Sequence, residues 1–273
     1  MKNRILALIM GFLMIFGLFF ATKGNEKMEI YFCKVGQGDG IVIRTEEKEV
    51  IVIDGGPDRS ILDCIDELSV FKIDRINKLV LTHPHKDHVS GLLELFDRYE
   101  IDQVLVYGVE YESREYAVFR EKLQDKSVKE EFAGESMVVG QSLRLEVVWP
   151  IRGYEIKNLN DSSLVLRVES GKNCFLMTGD AGADFEQYYI ANYGQCSGLK
   201  VAHHGSKFAT SREFVKHLGV KLAVISSGEN TYGHPSKEVI DRLDEAGAKV
   251  LRTDEGTIKI VSEASGWYIA DTK

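Results

Sequence analysis

Proline and linker-like sequence are scarce in this chain. It holds only 4 prolines among 273 residues, and no stretch rich in Gly, Ser or Pro divides one part from another. With 44% hydrophobic and 28% charged residues, the composition is that of a folded protein and excludes long disorder. No repeat of fixed period is present either, so the part after the N-terminus is expected to fold as one domain.

Cysteine is equally scarce, which excludes a zinc ribbon and a CxxC redox motif. The 4 cysteines, Cys33, Cys64, Cys174 and Cys196, are scattered, and none adjoins a histidine or a second cysteine. Isolated cysteines of this kind usually behave as small buried hydrophobic residues. We therefore expect buried thiols or one incidental disulfide, and no cysteine metal ligand.

Positive charge is also in short supply. The formal net charge is −8. The first 25 residues hold three basic residues and no acid, which leaves −11 for residues 26–273. Proteins that grip a long nucleic acid do so through many Lys and Arg contacts to phosphate. Overall charge thus argues against tight binding of a long polymer, although bound divalent cations would offset part of it.

The one long apolar run lies at the N-terminus, where residues 5–21 carry no charge and follow two basic residues. At about 1.5 Å per residue the run spans roughly 25 Å, the short end for a membrane helix and the long end for a signal peptide. We divide the chain into residues 1–25, an uncleaved signal anchor or a cleaved signal peptide, and residues 26–273, the folded domain. The basic flank places the domain outside the cytoplasm, membrane-anchored or secreted.

The remainder alternates strands and helices in two blocks. Apolar, strand-rich segments bounded by turns predict the strands Met28–Val35, Gly40–Thr45 and Glu49–Asp54, followed by the helix Arg59–Leu68. A second block of strands begins at Glu130–Val138. Two blocks of strands, each followed by helices, predict an α+β fold in which two sheets pack together with helices outside.

The segment Thr82-His83-Pro84-His85-Lys86-Asp87-His88 carries the clearest chemistry. It places three histidines and one aspartate within six residues, directly after an apolar strand. Imidazole and carboxylate are ligands for zinc, manganese or iron. In an extended loop His83 and His85 point to the same side, whereas Asp87 and His88 begin the next helix and face a second metal.

Three later segments supply further polar side chains at strand ends. Asp180 follows an apolar strand and is interpreted either as a bridge between two metals or as a plain helix cap. His203 and His204 follow another strand. Because neighbouring strand residues point opposite ways, only one of the two is expected to bind metal. His234 lies in a turn before a helix.

These segments resemble the metallo-β-lactamase superfamily, and in particular its ComEC-like branch, the hydrolase domain of the competence protein ComEC. The resemblance covers Met28 to about Ile260 and implies a four-layer αββα sandwich. The matching stretches are Val35-Gly36-Gln37-Gly38-Asp39, Ile53-Asp54-Gly55-Gly56, the His83–His88 run, Asn160-Asp161-Ser162-Ser163-Leu164, Thr178-Gly179-Asp180, Ala202-His203-His204-Gly205-Ser206 and Gly233-His234-Pro235.

The resemblance also implies which residues hold two divalent metal ions, Zn²⁺ or Mn²⁺. The superfamily often has a further first-site histidine, but this chain has none between His88 and His203. The first site is therefore expected to be weak, water-completed or empty. The implied first-site ligands are His83 and His85, the second-site ligands are Asp87, His88 and His203, and the bridge is Asp180.

Two metals about 3.5–4 Å apart can lower the pKa of a bridging water and hold substrate oxygens. We expect a metal-dependent phosphodiesterase or nuclease that requires Asp87 and acts on a phosphodiester, with DNA as one candidate. His204 or His234 would protonate the leaving oxygen, and Asn160 and Ser163 would hydrogen-bond substrate oxygens. The alternatives are a hydrolase of cell-surface phosphodiesters of the teichoic-acid type and a catalytically weak metal- or DNA-binding module.

Overall fold

A computed structural model describes residues 27–68 and 73–270 of the chain. The apolar run at residues 5–21 and the boundary between residues 25 and 26 lie outside these ranges, so the anchor or signal peptide stays a prediction. Within the described ranges, no helix is both long enough and apolar enough to cross a membrane.

The strands form two large sheets and one short pair. In chain order they are β1 (Glu29–Phe32), β2 (Gly40–Arg44), β3 (Val50–Gly55), β4 (Arg75–Ile76), β5 (Lys78–Val80), β6 (Glu100–Ile101), β7 (Val104–Val106), β8 (Val128–Glu130), β9 (Ser136–Val139), β10 (Leu143–Trp149), β11 (Val165–Ser170), β12 (Asn173–Met177), β13 (Gly198–Lys200), β14 (Leu222–Ile225), β15 (Lys249–Arg252), β16 (Ile258–Glu263) and β17 (Gly266–Ala270). The first sheet runs β17-β16-β1-β2-β3-β5-β7-β8, the second runs β15-β14-β13-β12-β11-β10-β9, and β4 pairs with β6.

Helices lie between these strands along the chain. The α-helices are α1 (Ser60–Leu68), α2 (Lys86–Arg98), α3 (Arg114–Lys122), α4 (Ala183–Asn192), α5 (Arg212–Leu218) and α6 (Lys237–Glu245), and short 3₁₀ turns cover Leu159–Ser162 and Ala202–Gly205.

The main core lies between the two sheets. Side chains alternate along a strand, so Ile41 and Ile43 of β2 face the second sheet while Val42 faces the opposite side. Facing residues of the second sheet complete the layer, among them Leu145, Leu166, Val168, Phe175 and Met177. The alternation found in the sequence therefore separates an inner from an outer apolar face.

Helices cover both outer faces. Apolar residues of α1, α2 and α3 pack on the outer face of the first sheet, and those of α4, α5 and α6 pack on the second. This arrangement confirms the predicted α+β class and the four-layer αββα sandwich.

One predicted strand is wrong. The segment Glu130–Val138 is divided between β8, which belongs to the first sheet, and β9, which belongs to the second. A turn separates them, closed by a hydrogen bond from the Glu135 amide to the Phe132 carbonyl, with Gly134 at a φ of 92°. The chain therefore crosses from one sheet to the other at a glycine that the apolar pattern did not reveal.

All four cysteines are paired, where at most one disulfide was expected. Cys33, just after β1, bonds to Cys64 of α1, and Cys174 of β12 bonds to Cys196, just before β13. The second bond joins β12 to the segment that leads into β13, and the sequence alone did not predict either pairing.

Candidate metal centre

The predicted site residues come together at one edge of the sandwich, from both sheets. The first sheet supplies the loop after β5 and the start of α2, whereas the second sheet supplies the segments after β12, β13 and β14. Strands β5, β12, β13 and β14 all take part in parallel pairings, so their carboxyl ends meet at the same edge. Ligand sites in α/β sheets commonly form at such an edge.

Four side chains converge on one point within this cluster. His88 Nε2 and His204 Nε2 each lie 3.5 Å from Asp180 Oδ1. Asp87 Oδ2 lies 3.3 Å from His204 Nε2 and 3.8 Å from His88 Nε2. Two nitrogens and two carboxylate oxygens at this spacing match the donor set of a divalent transition-metal ion; we name this group the second site.

The atoms aimed at the second site have no other hydrogen-bond partner. Among the described residues, His88 Nε2, His204 Nε2 and Asp180 Oδ1 are buried polar atoms without one. Leaving such atoms unpaired costs about 1–3 kcal/mol each, and three of them face each other. A divalent cation would satisfy all three at once, so the residues present fit a metal ion.

The opposite ring nitrogens of these histidines are fixed by acceptors. His88 Nδ1 donates to Asp54 Oδ2 at 2.8 Å, and His204 Nδ1 donates to the Ser226 carbonyl at 2.9 Å. Asp54 also accepts from the hydroxyl and the amide of Thr82. Acceptors at Nδ1 leave each Nε2 as a free lone pair, which is how proteins orient metal-binding imidazoles.

Close backbone contact positions the helix that carries Asp87 and His88. Gly91 of α2 lies against Gly55 of β3, and a Cβ atom on either residue would stand 1.9 to 2.3 Å from backbone atoms of the other element. The Gly91 amide donates to the Gly56 carbonyl at 3.0 Å. The helix therefore sits as close to the strand as a backbone can, which sets the position of its N-terminal side chains.

A second group, named the first site, adjoins the second site across Asp180. His83 Nε2 lies 3.0 Å from His85 Nδ1 and 3.7 Å from Asp180 Oδ2. The Thr82 hydroxyl donates to Asp54 and can accept from His83 Nδ1 at 3.1 Å. His83 Nε2 then carries a lone pair, and it can share either a proton or a cation with His85 Nδ1. Asp180 offers one oxygen to each site, as expected for a bridging carboxylate.

The positions of His203 and His204 differ from those that the family resemblance implies. His204 is buried and faces Asp87, His88 and Asp180 of the second site, whereas His203 is one-third exposed, 34%, and lies on the first-site side. His203 Nε2 is 3.8 Å from Asp180 Oδ2, the oxygen that also faces His83. The geometry therefore favours His204, not His203, as the second-site ligand. Because His204 is buried, it lacks the solvent exposure expected of a proton donor.

Asn160 and Ser163 lie at different depths. Asn160 Nδ2 is 3.3 Å from His203 Nδ1, and Asn160 lines the open cleft. Ser163 is fully buried; its hydroxyl accepts from the Asp180 amide at 3.0 Å and lies 3.3 Å from His83 Nδ1. These contacts correct the expected substrate contact by Ser163, because its hydroxyl lies beneath the ligands and holds Asp180 and His83 in place.

The cluster opens into a cleft of about 370 Å³, lined by Gln37, Lys86, Tyr111, Asn160, Tyr232 and His234 beside the ligands. Asn230 fixes the loop that carries His234: its amide nitrogen donates to the His234 carbonyl at 2.7 Å, and its oxygen accepts from the His234 amide at 3.1 Å. His234 thus faces the same opening as His203, and their rings are 5.6 Å apart.

Charge interactions within the cluster are strong. Burial alone would raise the pKa of Asp180, but the neighbouring His204 and His88 hold it well below its usual value. Burial would likewise lower the pKa of His88, and the carboxylates of Asp180 and Asp54 raise it well above the ordinary value instead. Asp180 is therefore ionised, and in the metal-free cluster His88 carries the compensating proton, which a bound metal ion would displace.

A buried lysine beneath the second site was missed in the sequence. Lys200, the last residue of β13, is fully buried; it forms an ion pair with Asp39 and donates to the Gly179 carbonyl at 3.0 Å. Its ammonium is 4.0 Å from Asp180 Oδ1. A lysine in an apolar segment three residues before His203 was the available signal. Its partner Asp39 belongs to the Gly36–Asp39 motif.

The sequence model of the family described as the metallo-beta-lactamase superfamily matches residues 33–229. The chain belongs to the metallo-β-lactamase superfamily. Members of this superfamily are generally metal-dependent hydrolases, in agreement with the histidine and aspartate cluster found here.

Curated relatives include competence proteins. The chain is 28% identical over 266 residues to ComE operon protein 3 of Bacillus subtilis, covering 89% of this chain and 34% of that protein. It is 30% identical over 227 residues to competence protein ComA of Neisseria gonorrhoeae, covering 80% and 30% respectively. The chain thus spans about a third of the length of these relatives, and the ComEC-like resemblance is confirmed.

Solved structures of the superfamily share the fold. CmlA, a diiron beta-hydroxylase from Streptomyces venezuelae, matches with a TM-score of 0.56 at 15% identity, over 84% of this chain and 53% of that one. Zinc-bound PqqB from Methylobacterium extorquens matches with a TM-score of 0.54 at 12% identity, over 82% and 87%. At such identities the likeness concerns the fold alone.

Proposed function

We propose that this chain is a metal-dependent phosphodiesterase of the nuclease type. The observation that carries the proposal is the convergence of His88, His204, Asp87 and Asp180 on one point at the floor of an open cleft. The similarity to a ComE operon protein and to a competence protein favours a nucleic-acid phosphodiester over other esters.

Divalent ions held there would polarise a phosphoryl oxygen and lower the pKa of a bound water. Around them the chain supplies the remaining groups. Asn160 lies on the open side beside His203, where its amide can donate to a substrate oxygen. His203 and His234 face the cleft, so either can protonate the leaving oxygen. Burial lowers the pKa of both imidazoles, so the protonated form that acts as donor becomes more populated as the pH falls.

We propose a change in two residue roles, supported by the geometry of the cluster. His204 takes the second-site position proposed for His203, because its Nε2 faces Asp87 and Asp180 while its Nδ1 is engaged by Ser226. His203 in turn replaces His204 beside His234 as a proton donor. Zn²⁺ and Mn²⁺ are both proposed as the native metal, since histidine and carboxylate ligands suit either ion.

We further propose that the domain works outside the cytoplasm, anchored or released through residues 1–25. Two disulfides support this placement, because disulfides persist in oxidising compartments and are rare in the cytosol.

A substrate panel tests the proposed activity. The full chain, stripped of metal and reloaded with Mn²⁺ or Zn²⁺, is assayed on bis-(p-nitrophenyl) phosphate, on single- and double-stranded DNA, and on a phosphocholine diester. Cleavage of the small ester and of DNA is expected. Cleavage of the phosphocholine diester without cleavage of DNA would instead identify a cell-surface phosphodiesterase. The net charge of −8 is consistent with that alternative, because it disfavours tight binding of a long polyanion. Metal binding without any turnover would identify a non-catalytic module.

A further inference from the structure

Exposed aromatic rings are concentrated around the metal cleft. In the described ranges, four aromatic side chains are exposed to solvent: Tyr111, Phe208, Tyr232 and Tyr268. Tyr111 and Tyr232 line the metal cleft. Phe208 and Tyr232 line a neighbouring cleft of about 280 Å³. Tyr268 lines neither cleft, so three of the four rings surround one opening.

The two clefts are neighbours that share part of their lining. Tyr232 and His234 line both of them, so a chain-like ligand placed at the metal cluster can extend past His234 onto Phe208. Phe208 is 80% exposed and Tyr232 is 75% exposed, which leaves broad ring surface facing solvent.

Both rings stand on turns fixed by side-chain hydrogen bonds. Arg242 donates to the carbonyls of Lys207 and Ala209 on either side of Phe208, at 3.2 and 3.0 Å. Asn230 accepts from the Tyr232 amide at 3.1 Å and binds both ends of that turn. These hydrogen bonds fix the backbone that carries the two rings, so less backbone freedom is lost when a ligand stacks on them.

The charges beside these rings suit a phosphodiester backbone of short length. Lys207 places its ammonium 5.2 Å from the Phe208 ring. Lys237, which pairs with Asp241, lines the same cleft, as does Glu238. Lys86 lines the metal cleft and approaches Glu115 at 3.7 Å. A few lysines beside rings, in a chain of net charge −8, fit stacking with few phosphate contacts rather than a long electrostatic groove.

We propose that Phe208 and Tyr232 form a stacking subsite for unpaired bases of the strand that is cut at the metal cluster, so that the substrate is a single-stranded nucleic acid. Bases expose their faces to protein rings only when they are unpaired, and a duplex offers only its backbone to this cleft. The subsite rests on the proposed phosphodiesterase function, which it extends from reaction type to substrate form.

Binding rather than turnover tests the subsite. Fluorescence anisotropy is measured with the full chain in EDTA, using a labelled 12-nucleotide single strand of mixed sequence as DNA or RNA, its abasic counterpart and a hairpin duplex. Stacking contributes about 1–3 kcal/mol per base, so Phe208→Ala and Tyr232→Ala should each weaken single-strand binding by about 5- to 150-fold. Phe208→Tyr and Tyr232→Phe keep a ring and should bind like the wild type.

The matched control is Tyr268→Ala, which removes an exposed ring that lines neither cleft and should leave binding unchanged. The abasic strand loses stacking on both rings, so the wild type should bind it more weakly than either alanine variant binds the intact strand. DNA and RNA that bind alike would assign recognition to the bases; a preference between them would add a sugar contact to the same subsite. The proposal would be overturned if the wild type bound the abasic strand or the duplex as tightly as the intact single strand, or if the alanine variants bound the single strand as tightly as the wild type. Failure of the wild type to bind a single strand would also overturn it, as would displacement of the bound strand by phosphocholine alone. Absence of bis-(p-nitrophenyl) phosphate turnover in the metal-loaded wild type would instead count against the phosphodiesterase function.

Discussion

Replacing Asp54 by asparagine should weaken metal binding, although Asp54 acts through the orientation of His88 and not as a ligand. Asp54 Oδ2 accepts hydrogen bonds from His88 Nδ1 at 2.8 Å and from the Thr82 hydroxyl at 2.6 Å, while Oδ1 accepts from the Thr82 amide at 2.8 Å. Asparagine retains one oxygen, which the Thr82 amide can keep. Its NH₂ group then faces His88 Nδ1, so two donors oppose each other unless the His88 proton moves to Nε2.

Nε2 is the atom that points at the second site, and a protonated nitrogen cannot bind a metal. Loss of such a supporting carboxylate costs about 10- to 100-fold in metal affinity, which is about 1.4–2.7 kcal/mol. Shape and volume are nearly unchanged by Asp54→Asn, so the folded structure should persist.

The affinity is measured by competition between the metal-free full chain and a fluorescent zinc chelator, with circular dichroism to verify the fold. Asp97→Asn is the matched control, because Asp97 lies on the same helix as His88 but forms an exposed ion pair with Lys122, which contributes little. Wild-type zinc affinity in folded Asp54→Asn would refute the reasoning, since it would mean that the hydrogen bond from His88 does not set its ligand atom.

Three further predictions address the ligands, the buried serine and the disulfides. His204→Ala should lose about one bound ion per chain by elemental analysis, whereas His203→Ala should keep the second-site ion and lose kcat; the opposite pattern would restore His203 as the ligand. Ser163→Ala leaves the buried Asp180 amide without its acceptor and should lower stability by about 1–3 kcal/mol, seen as a Tm lower by about 2–4 °C per kcal/mol; a higher KM at an unchanged Tm would restore a substrate contact. All four cysteines should resist alkylation until they are reduced, and free thiols in the unreduced chain would contradict the pairing. The disulfides close sequence separations of 31 and 22 residues, so loss of either one should lower the free energy of unfolding by about 3–4 kcal/mol.

The residues that sequence predicts best are those fixed by local spacing. His83, His85, Asp87 and His88 lie within six positions at the end of a strand, so any loop-to-helix geometry brings them together. Asp180 follows its strand in the same way. The layers of the sandwich could also be predicted, because two blocks of strands are each followed by helices and the family resemblance implies four layers.

The distinction between His203 and His204 depends on backbone geometry that spacing does not encode. Both residues adopt left-handed conformations, with φ of 50° and 53°, after β13 has ended at Lys200. The alternation expected of a strand therefore does not apply to them. Such strained positions are typical of functional sites, where the surroundings hold them.

Contacts distant in sequence account for the other differences. Ser163 is buried because the Asp180 amide, 17 residues further along, lies against its hydroxyl. The cysteine pairs and the Lys200–Asp39 ion pair likewise join separate elements, so neither follows from local pattern.

The measurement that tests the central claim most directly is hydrolysis of bis-(p-nitrophenyl) phosphate by the full chain, stripped of metal and titrated with Mn²⁺ or Zn²⁺. We predict no turnover without metal, recovery on addition of the ion, and no recovery in folded Asp87→Ala, which lacks a carboxylate of the second site. Turnover in the metal-free wild type, or wild-type turnover in Asp87→Ala, would contradict the account.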